Sequence, residues 1–171
     1  MRIRHLLGAA AAAAIALGAT PAAAVTPVSQ ADGKALVLIP LTLTKIQDLD
    51  FGSVIPSASS GVVVINASTG ARTFAGGVTL VPSDAGFRAY FGGAGTPNQQ
   101  VIMTMNPPAQ LTDVGGDTID VLALTFDGPA IRTIDPVSRA FFVGVGGIVQ
   151  IGANQPDGVY TAQFDVTANY Q

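Results

Sequence analysis

Cysteine, tryptophan and glutamate are all missing from the 171-residue sequence, and its one histidine, His5, lies at the extreme N-terminus. Each absence closes off some chemistry. Without Cys there is no disulfide to staple the fold and no thiol for lipid attachment. Without a His past residue 5, Ser–His and Cys–His nucleophilic catalysis, soft-metal sites and the commonest general base are excluded. Only Asp remains for acid–base work, and no enzymatic activity is expected. Glu and Lys are strong helix formers. With no Glu and only Lys34 and Lys45, the chain has little from which to build helices.

What is present begins with a secretory signature. Arg2, Arg4 and His5 form a short basic start, Leu6 to Leu17 an apolar run, and Pro21-Ala22-Ala23-Ala24 a small-residue ending suited to cleavage after Ala24. The apolar run is well short of the about 20 residues needed to span a bilayer. Residues 1–24 therefore read as a signal peptide, 25–34 as an N-terminal extension and 35–171 as one β-sandwich domain. A mature chain of that length can bury a core unaided. It carries six cations (Lys34, Lys45, Arg72, Arg88, Arg132, Arg139) against eleven Asp, a net of 6 − 11 = −5. Scattered cations on an acidic chain make nucleic acid and anionic membrane surfaces poor partners. No direct membrane insertion of the mature chain is expected. The location implied is the periplasm, then the cell surface or the medium.

Gly and Pro punctuate the mature sequence, and the stretches between them read as strands. The candidates are Ala35–Ile46, Leu49–Gly52, Val62–Ile65, Phe87–Phe91, Val101–Met105, Thr118–Phe126, Ala140–Ile151 and Val159–Tyr170. No long window shows a 3.6-residue apolar period. Many short strands at even spacing predict an all-β fold, a sandwich or a barrel of antiparallel strands. Gly146-Gly147 inside a long apolar run predicts a bulge or a close backbone approach.

Motifs that carry chemistry are sparse. Asp48 and Asp50 would share a strand face, and Asp113, Asp117 and Asp120 cluster loosely. They sit beside Gly and at strand ends, where Asp ordinarily supports turns, and the spacing of a calcium-binding EF-hand loop is absent. Gly144-Val145-Gly146-Gly147 lacks the Lys and the helix of a phosphate cradle. Asn66-Ala67-Ser68 is a formal glycosylation acceptor. No cofactor is implied.

The strongest pattern comes last. In Gly158–Gln171 the residues Tyr160, Ala162, Phe164, Val166, Ala168 and Tyr170 fall on one face of a strand, and Thr161, Gln163, Asp165, Thr167, Asn169 and Gln171 on the other. Phe164 would lie mid-strand on the buried face. Tyr170, at the strand end, would add little to a closed sandwich.

This ending resembles that of subunits of chaperone–usher pili, which finish with a Gly fourteenth from the C-terminus, alternating apolar residues and a penultimate aromatic. Gly158 and Tyr170 occupy those two places. The resemblance implies an immunoglobulin-like, pilin-like β-sandwich that is incomplete, with Gly158, Tyr160, Ala162, Phe164, Val166, Ala168 and Tyr170 forming its assembly strand. A periplasmic chaperone would pair there first, and a donor strand of an identical or related subunit would replace it at an outer-membrane usher. Ala31, Gly33, Ala35, Val37 and Ile39 match such a donor strand. Over nearly its full mature length the chain is also similar to a family of uncharacterised bacterial secreted domains, itself distantly similar to the spore-coat-U type of pilin. Leu49-Asp50-Phe51-Gly52, Gly76-Gly77-Val78, Phe142-Val143-Gly144 and Gln155–Tyr160 carry that likeness.

Two functions follow as expectations. One is a structural or adhesive subunit of a surface fibre or layer, assembled by strand complementation. The other is a monomeric secreted module that binds a ligand such as a glycan. Glycan modules present aromatics on an exposed face. Most Phe and Tyr here fall on apolar strand positions expected to face the core, which favours the fibre.

Overall fold

A computed structural model describes residues 29–171. The signal peptide read over 1–24 and the start of the extension lie outside the described residues. Residues 29–35 belong to a first unit of the chain; they form no strand and are exposed. The second unit, Leu36–Gln171, is all-β, with no helix.

Ten strands make two antiparallel sheets in a sandwich-like arrangement: β1 Thr42–Gln47, β2 Val54–Ile65, β3 Arg72–Leu80, β4 Ala89–Ala94, β5 Gln100–Asn106, β6 Gln110–Thr112, β7 Thr118–Phe126, β8 Ile131–Thr133, β9 Ala140–Ile151 and β10 Asp165–Tyr170. Seven of them form the larger sheet. Its path is β1-β4-β9-β2-β3, with β7 on β9 and β6 on β7. The smaller sheet has the order β10-β5-β8.

The long apolar run Ala140–Ile151 becomes the centre of the larger sheet because only a strand flanked by neighbours can hide that much apolar surface. Its first half pairs with β4, and its second half lies between β2 and β7. Phe141, Val143, Val145, Val149 and Ile151 are all buried. Gly146 marks a close approach, as its sequence context led us to expect. A Cβ there would collide with the Ile65 carbonyl and with the backbone of Ala67, so the end of β2 can pass only over glycine. The register shift of this pairing falls on β7, between Val121 and Ala123.

Several strand boundaries differ from those expected, for identifiable reasons. Ala35–Ile46 was read as one strand, yet pairing starts at Thr42. Pro40 has no N–H, and Ile39 spends both main-chain groups on Thr96 and Tyr170. Val159–Tyr170 likewise shrinks to Asp165–Tyr170. Asp165 pairs with Asn106, so Phe164 and Gln163 would next face Pro107 and Pro108, which have no N–H to donate. Val62–Ile65 is the end of a strand that starts at Val54, and the shift between Pro56 and Gly61 falls within its polar first half. Phe87 joins only an isolated bridge to Asp50, and β4 runs on through Gly92 and Gly93. The strand β3 was not anticipated, since Gly76-Gly77 at its centre reads as a break.

The interior divides in two. One buried cluster holds Ala89, Phe91, Val101, Met103, Ile134, Phe141, Val143 and Val145 and spans both sheets. The other holds Val63, Val78, Ile119, Val149 and Ile151, all from the larger sheet.

Candidate assembly groove

The second cluster has no opposing sheet. Where one would lie, an open groove of about 1090 Å³ runs across the larger sheet. Its apolar lining includes Leu111, Ile119, Val121 and Leu124 from β6 and β7, with Val149 and Ile151 from β9. Residues Asp48–Val54 and the segment Gln155–Asp165 wall it, and it reaches Ala89 and Phe91 at the border of the first cluster. Alternation in β7 and β9 is what puts these side chains on one face, and that signal was readable in the sequence. Its lack of a facing sheet was not.

The segment before β10 crosses the groove as a strap. Thr161 exchanges two main-chain hydrogen bonds with Thr112 of β6, both 3.0 Å. The Tyr160 hydroxyl donates to the Pro156 carbonyl at 2.8 Å and accepts from Gln155 Nε2 at 3.0 Å. The Gln155 side chain also accepts the Gly152 N–H and donates to the Thr118 carbonyl. Tyr160 thus packs on the second cluster, and Phe164 meets Phe91 of the first edge-on, with centroids 6.3 Å apart.

The residues expected to form one assembly strand are therefore split between two settings. Val166, Ala168 and Tyr170, in β10, pack against the first cluster beneath the smaller sheet. Tyr160, Ala162 and Phe164 lie on the strap and line the groove. Ala162 is exposed, not core-facing, because the strap lifts from the sheet there. Gly158 is exposed in the bend where the strap begins. Within its sheet β10 is bonded to β5 alone, so among the described residues its other edge has no strand partner.

The five residues matched to a donor strand are not in a strand. Ala31, Gly33 and Ala35 are exposed. Val37 is 89% exposed and Ile39 47%. Tyr170 is not a loose strand end either. Its hydroxyl donates to the Ile39 carbonyl at 2.8 Å and accepts the Thr96 N–H at 2.7 Å, bonds that sequence alone did not reveal.

The Asp residues serve turns and pairs. Asp113 Oδ1 accepts the Asp117 N–H, Asp120 Oδ1 accepts from Gln110 Nε2, and Asp50 Oδ1 accepts the Gly52 N–H. Asp48 pairs with Lys45 at 2.6 Å, off the strand it was expected to share with Asp50. Among the described residues no three His, Cys, Asp or Glu side chains are placed to hold a metal ion.

On the outer face of the larger sheet one expectation fails. Phe142 is 51% exposed and lies parallel to Tyr90, with ring centroids 5.7 Å apart and planes 4° apart. Arg88 covers Tyr90 at 5.0 Å and donates to the carbonyls of Ala67 and Ser68. Phe74 and Phe87 are exposed as well. The aromatics are less confined to the core than their strand positions implied.

Two antiparallel sheets of short strands, sandwich-like and without helices, define the class: an all-β sandwich domain. Within that class, the chain belongs to the family described as Domain of unknown function (DUF4402), whose model matches residues 41–170. No curated protein and no solved structure matches the chain.

Proposed function

We propose that this protein is a structural or adhesive subunit of a bacterial surface fibre or layer, assembled by strand complementation. The groove of one copy takes the extended N-terminal segment of another, pairing with the open edge of β10 and laying alternate side chains on the apolar floor. One observation carries this reading: an open groove with an apolar floor reaches Asp165, the first residue of β10, a strand whose second edge has no strand partner among the described residues. A groove with an apolar floor suits an extended occupant. A periplasmic chaperone fills the groove during export, and an outer-membrane usher is the exit. Kinship with chaperone–usher pilins and with the spore-coat-U type rests on the pattern from Gly158 to Tyr170 and on this groove.

The test is a gel of surface-sheared material, unboiled against boiled. Strand-exchanged assemblies are kinetically trapped, so the wild type should run as a ladder that collapses on heating. Leu111→Arg, which thrusts a charge into the groove floor, should abolish the ladder. A single wild-type band in both lanes would leave the second reading, a monomeric binding module. The exposed Phe142, stacked on Tyr90, favours that alternative, since aromatic rings on an open sheet face suit contact with a ligand such as a glycan.

A further inference from the structure

Three segments distant in sequence meet at the C-terminal end of β10. Ile39 donates its N–H to Thr96 Oγ1 at 2.9 Å, and its carbonyl accepts from the Tyr170 hydroxyl at 2.8 Å. The same hydroxyl accepts the Thr96 N–H at 2.7 Å. The ring of bonds closes on itself: each residue in it touches the other two. Glycine at 95 makes it possible, because a Cβ there would sit 2.5 Å from the Tyr170 oxygen and 2.9 Å from Leu41 Cδ1. Pro40 follows, with a fixed φ that also holds Ile39 extended. Leu41 then packs on the first core cluster. Immediately before the ring the chain has no such hold. Val37 is 89% exposed and Leu36 65%, and neither is in a strand.

We infer that the Tyr170 hydroxyl is a clamp marking the end of the exchangeable arm: residues up to Leu38 are available to another copy, and Ile39 is not. This rests on the strand-complementation reading and deepens it. An added strand must offer main-chain N–H and C=O groups to the edge it joins, and both groups of Ile39 are already engaged. Ala31, Gly33, Ala35 and Val37 are left as the side chains that alternate into a neighbour's groove. Tyr170 acts as a positioning residue. It fixes the point from which its own chain's arm departs, and so the register in which that arm reaches the next subunit.

Hydrogen exchange on the full mature chain tests the clamp independently of assembly. In the wild type the Ile39 amide should be protected, while Val37 and Leu38 exchange as open chain. Tyr170→Phe keeps the ring and loses the hydroxyl. Ile39 exchange should then quicken by about tenfold, the loss of one or two hydrogen bonds, while the amides of β9 are unchanged. Thr96→Val, which removes the acceptor of the Ile39 N–H, should do the same. Ile39 still protected in both variants, or Leu38 protected in the wild type, overturns the clamp. The assembly arm adds a readout that simple destabilisation does not move. Clamp variants that remain folded should give ladders that are shorter or that melt apart at lower temperature. Wild-type ladders from an unclamped Ile39 would deny the positioning role. A wild type that forms no ladder, with Ile39 clamped as described, defeats the complementation reading and with it the arm's role.

Discussion

The two apolar clusters sit on the same seven-stranded sheet and share β9, yet they are covered very differently. Over the first, Val101 and Met103 from β5, Ile134, and Val166, Ala168 and Tyr170 from β10 bring down a second layer. Over the second no strand of the smaller sheet packs; Phe51, from the loop before β2, and Tyr160, on a strap with a single bridge to β6, lie on it instead. The amino acids are of the same kind: Val, Ile and Leu at alternate positions. Composition therefore does not decide which half is sealed. Pro107-Pro108 does much of it. There β5 ends and the chain crosses to β6 in the other sheet, and the C-terminal segment, deprived of N–H partners, stops pairing at the same level.

The contrast makes stability predictions that differ in size between the halves. The largest effect is expected in the sealed half. Val143 is fully buried at the centre of the first cluster, and Val143→Asp places a carboxylate there without a partner. That should remove most of the about 5–15 kcal/mol available to a domain, leaving no cooperative thermal transition. A protein that melts within a few degrees of wild type would show that the first cluster is not the core.

Next comes a matched pair of truncations. Met103, 1% exposed in the cluster between the two sheets, should lose about 2–5 kcal/mol on substitution by Ala. Leu111, half-buried on the groove floor, already faces an opening, so Leu111→Ala leaves no enclosed void and should cost about 1 kcal/mol. Urea denaturation of both variants reads the difference. Equal losses would mean that the groove is closed in solution, by the strap or by another part of the chain, and the comparison between the halves would fail.

Much of this was legible in the residues. The all-β class followed from missing helix formers and dense Gly and Pro, and Thr118–Phe126 and Ala140–Ile151 were located to the residue. Alternation in Val166, Ala168 and Tyr170 gave their inward face correctly. What could not be read was non-local. Ala162 continues the same alternation, yet it is exposed, because pairing with β5 stops at Asn106, where Pro107 and Pro108 offer no N–H to continue it. Ile39 looks like one more apolar residue in an open run. It is fixed by Thr96 and Tyr170, and no local pattern announces a hydroxyl from the other end of the chain. The floor of the groove was visible as a strand face; the emptiness above it depends on where the C-terminal segment turns.

The smallest effect concerns the turn that closes the sealed half. Ile134 is fully buried, and directly after it Asp135 organises residues 135–139. Asp135 Oδ1 accepts the Ser138 N–H at 2.7 Å, the Val137 N–H at 2.9 Å and the Ser138 hydroxyl at 3.0 Å. Bonds to the charged form, the Ser138 amide foremost, hold its carboxyl below the usual carboxylate range. A group depressed in the folded state adds stability above its unfolded value, about 3.9 for Asp, and loses it as pH falls through the lower folded value. The wild type should therefore lose melting temperature in acid more steeply than Asp135→Asn, whose neutral amide does not titrate. Near neutrality the variant should melt slightly lower, and the two curves should converge in acid. Because the carboxylate is at the surface and screened by solvent, the gap should be small. Thermal melts from about pH 2 to about pH 7 measure it. Parallel curves across that range would show that the Asp135 turn contributes nothing through its charge, and that the sealed half owes its closure to Ile134 and the layer beneath it.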